Sequence, residues 1–306
     1  MVPFFAPPPI ETGWMVFWDD DSSLTTFEQH ASLLKEVMVE WTGVEKDGTV
    51  VREAGTKTQR ARLFKAAHNS HTLVFGTASN FGQYDFDPKR MSAFLEDPAK
   101  RTAHAKKLVG VAKSDGLNGI DLDYESMAAK DRDLYSAFVA QLAGLLHKSG
   151  LLLSVTVHAK TSEPGDWGGA IAEDWKALGA SGDVVRVMTY DQHYSTSKAG
   201  PIAADDWVLR VMQFAKRMIP AEKLDMGIAA YGYDWTVKPA LSLTWSDFYP
   251  QHTGTLDPAS HELVDGKVRF SGAAAYAYKR TMAQQLGLRG TGFWYIGSGE
   301  PAMWTR

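Results

Sequence analysis

The sequence contains no cysteine among its 306 residues. This absence excludes disulfide bonds, thiolate metal sites and a thiol nucleophile, and it is compatible with an exported bacterial protein. The sequence also lacks an apolar run as long as a membrane span and a run of Lys or Arg that would follow phosphates. With a net charge of −4, we expect no nucleic-acid partner and no membrane span.

The N-terminus lacks the charged and apolar regions of a leader peptide. It begins MVPFFAPPPIET, and this composition predicts a proline-rich tail or linker over residues 1–12. The whole chain is 44% apolar, and the remaining residues, 13–306, have the length that one α/β barrel commonly uses. We therefore predict a single folded unit over 13–306.

Three acidic residues alternate with apolar ones in the stretch NGIDLDYES, residues 118–126. Asp121, Asp123 and Glu125 have the period of a β-strand, so their side chains are expected to point to the same face. Repulsion between like charges at that distance raises at least one pKa, which keeps a carboxyl group protonated as a general acid near neutral pH. The pattern therefore favours a catalytic array over a solvated face.

Short β-rich runs alternate with longer segments of helical spacing. The predicted strands are residues 14–18, 37–41, 72–77, 119–125, 151–157, 184–191, 224–232 and 291–296. The clearest predicted helices are residues 57–68, 101–114, 131–148, 206–218 and 276–286. Eight strands that alternate with helices indicate a parallel sheet closed into an α/β (β/α)₈ TIM barrel. Active sites of such barrels lie at the C-terminal ends of the strands, where the acidic row ends with Glu125.

Three motifs now indicate a family. Three segments resemble motifs of glycoside hydrolase family 18, the family of chitinases and endo-β-N-acetylglucosaminidases. They are NGIDLDYE on the fourth predicted strand, MTYD at 188–191 on the sixth and GFWYIG at 292–297 on the eighth. Within that family, the sequence is most similar to the bacterial spore-cortex-lysin branch of peptidoglycan N-acetylglucosaminidases. The segments MTYDQHYSTSKAGPIA, YGYDW and GLRGTGFWYIGSGEPAMW carry this closer likeness.

The resemblance implies a role for each matching residue. Glu125 would be the general acid and then the base, and Asp123 would orient and polarise the acetamido group of the sugar. Asp121 would tune the proton of Asp123. Tyr190 would donate a hydrogen bond to the acetamido oxygen, and Trp294 would form the floor under the reacting sugar.

The same resemblance implies substrate-assisted, retaining hydrolysis, in which the acetamido oxygen attacks its own anomeric carbon and forms an oxazolinium ion. It implies no cofactor and a glycan substrate that contains N-acetylglucosamine. It also implies a monomeric protein that is extracytoplasmic or secreted and that could associate with the cell wall. A lectin-like protein that has lost catalysis is the alternative. Such relatives replace the acid at the position of Glu125, which is intact here.

Two features depart from the family pattern. Chitinases usually carry SxGG on the third strand, where this sequence reads LVFGTASNFG, which counts against a plain chitinase. The segment at about 236–272, between the seventh strand and the last helix, is too short for the full α+β insertion of many members. We therefore expect a reduced insertion and a shallower groove.

Other side chains near predicted strand ends are candidate sugar contacts. The predicted substrate-binding residues, besides Trp294, are Asp191, Met188, Glu40, Asn80 and Tyr231. Further aromatic candidates are Trp18, Tyr194, Tyr233 and Trp235, of which about half are expected to touch ligand because most aromatic side chains are core residues. Metal binding is conceivable at Asp19–Asp21, at His68 and His71, or at the acidic row. We interpret Asp19–Asp21 as an acidic loop, His68 and His71 as residues at the end of a helix, and the acidic row as a catalytic array. We therefore expect no metal.

Overall fold

The computed structural model describes residues 8–45, 49–81 and 86–305. Its strands are β1 Ile10–Met15, β2 Glu36–Val44, β3 Val50–Arg52, β4 Leu73–Ser79, β5 Gly119–Asp123, β6 Leu152–His158, β7 Val184–Met188, β8 Leu224–Ala229, β9 Gly232–Asp234, β10 Leu241–Leu243, β11 Thr255–Leu256, β12 Leu263–Asp265, β13 Val268–Phe270 and β14 Gly290–Trp294. Its α-helices are α1 Ser22–His30, α2 Lys57–Ser70, α3 Pro88–Leu95, α4 Pro98–Asp115, α5 Arg132–His147, α6 Gly168–Ala172, α7 Trp175–Ser181, α8 Asp205–Met218, α9 Trp245–Phe248 and α10 Ala273–Gln285.

Eight parallel strands close into a barrel. They follow the order β1-β2-β4-β5-β6-β7-β8-β14, and β1 pairs with both β14 and β2, which closes the ring. The helices cover the outside of this ring, and their apolar side chains form one core with the outward side chains of the strands. The predicted (β/α)₈ barrel is confirmed. Within the described ranges, no helix has both the length and the apolar character needed to cross a membrane.

Several strand boundaries differ from those predicted. β1 starts at Ile10, so residues 10–12, which were assigned to the tail, belong to the barrel, and residues 1–7 lie outside the described part of the chain. The fourth and sixth barrel strands end at Asp123 and Met188, which is earlier than predicted. Ser126 and Asp191 have positive φ angles of 53° and 56°, and these left-handed residues turn the chain away from the sheet.

The predicted reduced insertion folds as a small antiparallel sheet, in the order β10-β9-β13-β12-β11. It starts at Gly232, a few residues before the predicted boundary at 236, because the seventh predicted strand divides into β8 and β9. A short helix, α9, lies between its strands. Five helices of the described ranges were not among those predicted, and all of them are short, with nine residues or fewer: α1, α3, α6, α7 and α9.

Candidate active site

A cavity of about 770 Å³ opens at the C-terminal ends of the barrel strands. All but two of the predicted site residues line it: Glu40, Asp123, Glu125, Met188, Tyr190, Asp191, Tyr231 and Trp294. The parallel register brings these ends together, because each strand of the ring runs in the same direction. The structure therefore collects side chains from five barrel strands or the loops that follow them.

Asp121 lies below the cavity and is fully buried. Its carboxylate accepts hydrogen bonds from Trp14 Nε1 at 2.9 Å, Thr77 Oγ1 at 3.3 Å, Thr156 Oγ1 at 3.2 Å and Ser154 Oγ. The register explains the contacts, because Asp121 stands opposite Thr77 on one neighbouring strand and Ser154 on the other. Asp121 is therefore held in place by the barrel, and in the described part of the chain it is not one of the residues that line the cavity.

Asp123 ends β5 and is 9% exposed. Burial raises the pKa of Asp123 well above its ordinary value, and the charges of Glu125, Asp121 and Glu40 raise it further. Its Oδ1 has no hydrogen-bond partner among the described residues. A buried acceptor without a partner is costly, so Asp123 offers a binding position to an N–H group of a ligand.

Glu125 lies two residues beyond β5, and a single side chain fixes its backbone. Asn80 Oδ1 accepts a hydrogen bond from Glu125 N at 2.7 Å, and Asn80 Nδ2 donates to Glu125 O at 2.9 Å. Asn80 was predicted to contact substrate. Within the described part of the chain it is instead buried and outside the cavity wall, because both ends of its amide are used to hold Glu125.

His158 contacts Glu125, and Glu173 contacts His158; neither residue was predicted from the sequence. His158 Nε2 lies 3.0 Å from Glu125 Oε2, and His158 Nδ1 lies 2.7 Å from Glu173 Oε1. Burial acts to lower the pKa of His158, but the Glu173 and Glu125 carboxylates outweigh it and raise the pKa to about 10. A signal existed in the sequence, since SVTVH in β6 places Ser154, Thr156 and His158 on one face, as the acidic row does in β5.

Asp191 accepts two tyrosine hydrogen bonds, from Tyr231 Oη at 2.5 Å and from Tyr233 Oη at 3.1 Å. Burial raises the pKa of Asp191 to about 6, although these two hydroxyl groups act in the opposite direction. Tyr231 and Tyr233 come from the end of β8 and from β9. The start of the insertion therefore forms one wall of the cavity.

Tyr190 and Trp294 face the same cavity. Burial, followed by the charges of Asp123 and Glu125, raises the pKa of Tyr190 well above its ordinary value, so its hydroxyl stays protonated and can donate. A Cβ at Gly227 would come within 3.0 Å of the Tyr190 ring and 2.6 Å of a backbone oxygen, so only glycine allows this close approach. The Trp294 indole packs edge-on against Trp14, with ring centroids 6.3 Å apart.

Glu40, on β2, gives the cavity a second protonated carboxyl group. Burial raises the pKa of Glu40 to about 8, and the charges of Asp121, Glu53 and Glu125 contribute. Near neutral pH this carboxyl group is mostly neutral and has an O–H to donate.

The further aromatic candidates lie in two kinds of position, in the wall of the cavity or away from it. Trp18 and Tyr233 line the cavity, whereas, within the described ranges, Tyr194 and Trp235 do not. Trp235 is buried and donates from Nε1 to the Tyr194 carbonyl oxygen at 3.2 Å.

Of the side chains considered as metal ligands, Asp19 and Asp21 accept hydrogen bonds from the protein, and His68 and His71 lie at the end of a helix. Asp19 accepts from the backbone N–H of Ser23 at 2.9 Å, and Asp21 accepts from Gln59 Nε2 and Arg62 Nη1, both at 2.6 Å. His68 lies in the last turn of α2, and His71 ends that helix in a left-handed conformation.

Comparison with known proteins connects this geometry to a family. The model of glycosyl hydrolases family 18 matches residues 13–297. The uncharacterized glycosylase YvbX of Bacillus subtilis (strain 168) is 25% identical over 309 residues, covering 93% of this chain and 87% of that protein. The cortical fragment-lytic enzyme of the same organism is 26% identical over 282 residues, covering 85% of this chain but only 64% of that protein. Among solved structures, a class V chitinase from Pseudomonas fluorescens Pf-5 superposes with a TM-score of 0.86 at 26% identity, over 97% of both chains.

Proposed function

The chain belongs to glycosyl hydrolases family 18 and is a glycosidase, and we propose that it cleaves β-linked N-acetylglucosamine polymers with retention of configuration. The observation that carries this proposal is the unpaired, buried oxygen of Asp123 in the wall of the cavity. An acetamido N–H would satisfy this oxygen, and the same cavity contains Glu125 as a proton donor.

In the first step, Glu125 protonates the glycosidic oxygen. The acetamido oxygen of the substrate attacks the anomeric carbon, and the electron pair of the breaking C–O bond goes to the leaving oxygen. The positively charged oxazolinium ion that forms keeps its N–H on Asp123. Intramolecular attack lowers a barrier by up to about 7–11 kcal/mol when the geometry is held near the attack conformation, and Tyr190 and Trp294 are positioned to hold it.

In the second step, Glu125 removes a proton from water, and the resulting hydroxide attacks the anomeric carbon from the side that the leaving group left. The oxazolinium ring opens, its electron pair returns to the acetamido oxygen, and the configuration is retained after two inversions. Glu125 finishes protonated and ready for another cycle.

We propose peptidoglycan or a chitin-type polymer as the substrate. The names of the relatives support both, since one is a cortical fragment-lytic enzyme and another is chitinase C of Streptomyces lividans. Both polymers contain the β-linked N-acetylglucosamine unit that the mechanism needs. The proposal includes an extracytoplasmic location, because cell-wall and chitin polymers lie outside the cytoplasm.

Turnover of a chromogenic chitobioside, chitin oligomers and purified peptidoglycan tests the proposal, with the products identified by mass spectrometry. We expect release of products with an N-acetylglucosamine reducing end, and inhibition by a thiazoline analogue, which mimics the oxazolinium ion. Binding without product release would instead identify a lectin. An active enzyme that is indifferent to the thiazoline would indicate another mechanism.

We predict that Glu125→Gln keeps the fold and lowers kcat by at least about 10²–10⁴-fold, because the variant keeps the shape of the side chain but cannot transfer a proton. Single-turnover kinetics and substrate affinity separate the chemical step from binding. Glu222→Gln, at an exposed position, is the matched control and should retain full activity. Comparable turnover in both variants would refute the assignment of Glu125 as the acid.

A further inference from the structure

We propose that His158, fixed by Glu173, is a positioning residue that keeps a positive charge beside Glu125 during the reaction and so sets the pH above which activity is lost. This inference rests on the proposed function, because it concerns the acid of that same site. It adds two residues, His158 and Glu173, to the machinery around the cavity.

The geometry fixes the imidazole ring from both sides. One carboxylate, Glu173, binds His158 twice: Oε2 accepts from the backbone N–H at 2.9 Å, and Oε1 lies 2.7 Å from Nδ1. The opposite ring nitrogen, Nε2, lies 3.0 Å from Glu125 Oε2. A ring held at its backbone and at both nitrogens has one orientation, so Glu125 is also held on the side that faces His158.

The pair lies behind the acid and away from the cavity. The side chain of His158 is 14% exposed and that of Glu173 is 1% exposed. The ring of Trp167 covers His158 edge-on, with ring centroids 4.6 Å apart. Among the described residues, the cavity wall includes Glu125 but neither His158 nor Glu173, and it is through its contact with Glu125 that His158 would act on a ligand in the cavity.

Among the groups around His158, the Glu173 and Glu125 carboxylates favour a cationic ring and outweigh its burial. Around His158 and Glu173 the charged and titratable groups are Lys160, Arg132, Tyr135 and Asp123. Around Glu125 they are Asp123, Glu40, Tyr190 and Asp191. Lys160 and Arg132 donate to the backbone carbonyl of Glu173, so both Glu173 carboxylate oxygens remain available to His158.

A cation at this position favours the carboxylate form of Glu125, because opposite charges attract. When the proton moves from Glu125 to the glycosidic oxygen, the carboxylate that forms accepts a hydrogen bond from His158 Nε2, while His158 keeps both of its own protons. The proton transfer from Glu125 to the glycosidic oxygen therefore becomes easier. The consequence for pH is that we expect activity to be lost at lower pH than it would be without the cation.

The experiment is the pH dependence of kcat/KM for the wild type, His158→Gln, Glu173→Gln and the double variant. His158→Gln removes the charge and keeps a neutral donor, so we expect kcat at the optimum to fall about tenfold and KM to change little. The descending limb should move to higher pH by about one unit. Glu173→Gln should move the limb in the same direction, because His158 then loses the carboxylate that keeps it cationic, and the double variant should move it no further.

His147→Gln is the matched control. His147 Nε2 also contacts a carboxylate oxygen, Asp183 Oδ2, at 2.9 Å, but this pair lies at the other end of the barrel. It should leave the profile unchanged. An active wild type whose descending limb stays in place in His158→Gln would overturn this inference alone. No turnover by the wild type would overturn the proposed function and this inference with it.

A second measurement does not depend on the folding of a variant. Nitrogen NMR of the histidine rings in the wild type at pH 8 should show that the ring of His158, assigned through its neighbours, has protons on both nitrogens. A neutral His158 ring at that pH would overturn the inference.

Discussion

At the scale of single residues, four carboxyl groups in one small region behave differently because their neighbours differ. Asp121 receives four hydrogen bonds from barrel side chains, whereas Asp123 has an oxygen without a partner among the described residues. Glu125 faces an imidazole ring. Glu40 lies among other acids and has the pKa raised to about 8. Residue type alone therefore does not decide which of these groups is charged.

Glu40 gives a prediction about stability and pH. The folded state holds the Glu40 proton more tightly than the unfolded chain, because the pKa is raised from 4.5 to about 8. Its contribution to stability is therefore complete below pH 4.5 and is lost as the pH rises through 8. We expect Glu40→Gln to be more stable than the wild type at pH 9, by on the order of 2 kcal/mol after solvent screening is allowed for.

Denaturant unfolding at pH 4.5, 6.5 and 9 measures this effect, with Glu222→Gln as the exposed control. The difference between Glu40→Gln and the wild type should grow with pH, and the control should show no such trend. A constant difference across the three pH values would mean that folding does not raise the pKa of Glu40.

At the scale of elements, asparagine side chains extend the β4–β5 ladder beyond both of its ends. At the C-terminal end, Asn80 binds the backbone N–H and carbonyl of Glu125. At the N-terminal end, Asn118 Oδ1 accepts from Val74 N at 2.8 Å. Both side chains replace hydrogen bonds that the strands themselves no longer make, but only Asn80 does so at the cavity.

We therefore predict that Asn80→Ala reduces both stability and activity, whereas Asn118→Ala reduces stability alone. Each substitution leaves a backbone group without its partner, which costs about 1–3 kcal/mol when the group is buried. In Asn80→Ala the backbone of Glu125 is also released, and kcat should fall by about tenfold or more, since a displaced acid transfers its proton poorly. Unfolding curves and kcat for both variants check this, and equal loss of activity in both would contradict it.

At the scale of the whole molecule, a buried ionic cluster crosses the interior of the barrel. Arg186 on β7 is fully buried and binds Glu36 on β2 at 2.5 Å and Asp225 on β8. Arg289 binds the same two carboxylates. Arg186 Nε also lies 3.6 Å from Asp121 Oδ1, which connects the cluster to the base of the candidate site.

Because this cluster joins opposite sides of the ring, we predict that Arg186→Met destabilises the protein by about 3–5 kcal/mol, the cost of removing one partner from a buried ion pair, and Arg289 alone then faces both carboxylates. The exposed pair Arg210–Asp206 offers the control, and Arg210→Met should cost less than about 1 kcal/mol. Thermal unfolding of both variants at pH 7 measures the difference. Similar losses would show that the cluster contributes no more than a surface ion pair.

Much of this could be predicted from the sequence. Alternating acids at 121, 123 and 125 indicate a strand with catalytic residues at its end. Eight strands that alternate with helices indicate the barrel, which the structure confirms. The boundaries near the site were wrong, because no turn residue such as Gly or Pro marks the end of β7 at Met188, and Tyr190 and Asp191 were included although they lie beyond it. His158 was missed because the predicted strand ended at residue 157, one residue before the alternation of Ser154, Thr156 and His158 is complete, and Glu173 was missed because a lone glutamate has no pattern of its own.

The sequence by itself determined the strand periods, the order of the motifs and the position of the acids at strand ends, since these depend on residues that are close together along the chain. Only the tertiary structure decided that Asn80 holds Glu125 from 45 residues away and that His158 contacts it from 33 residues away. It also decided that Arg186 binds Glu36 across 150 residues. The physical reason is closure of the ring, which brings distant strand ends together and removes water from them, and the charge of each group then depends on which neighbours remain.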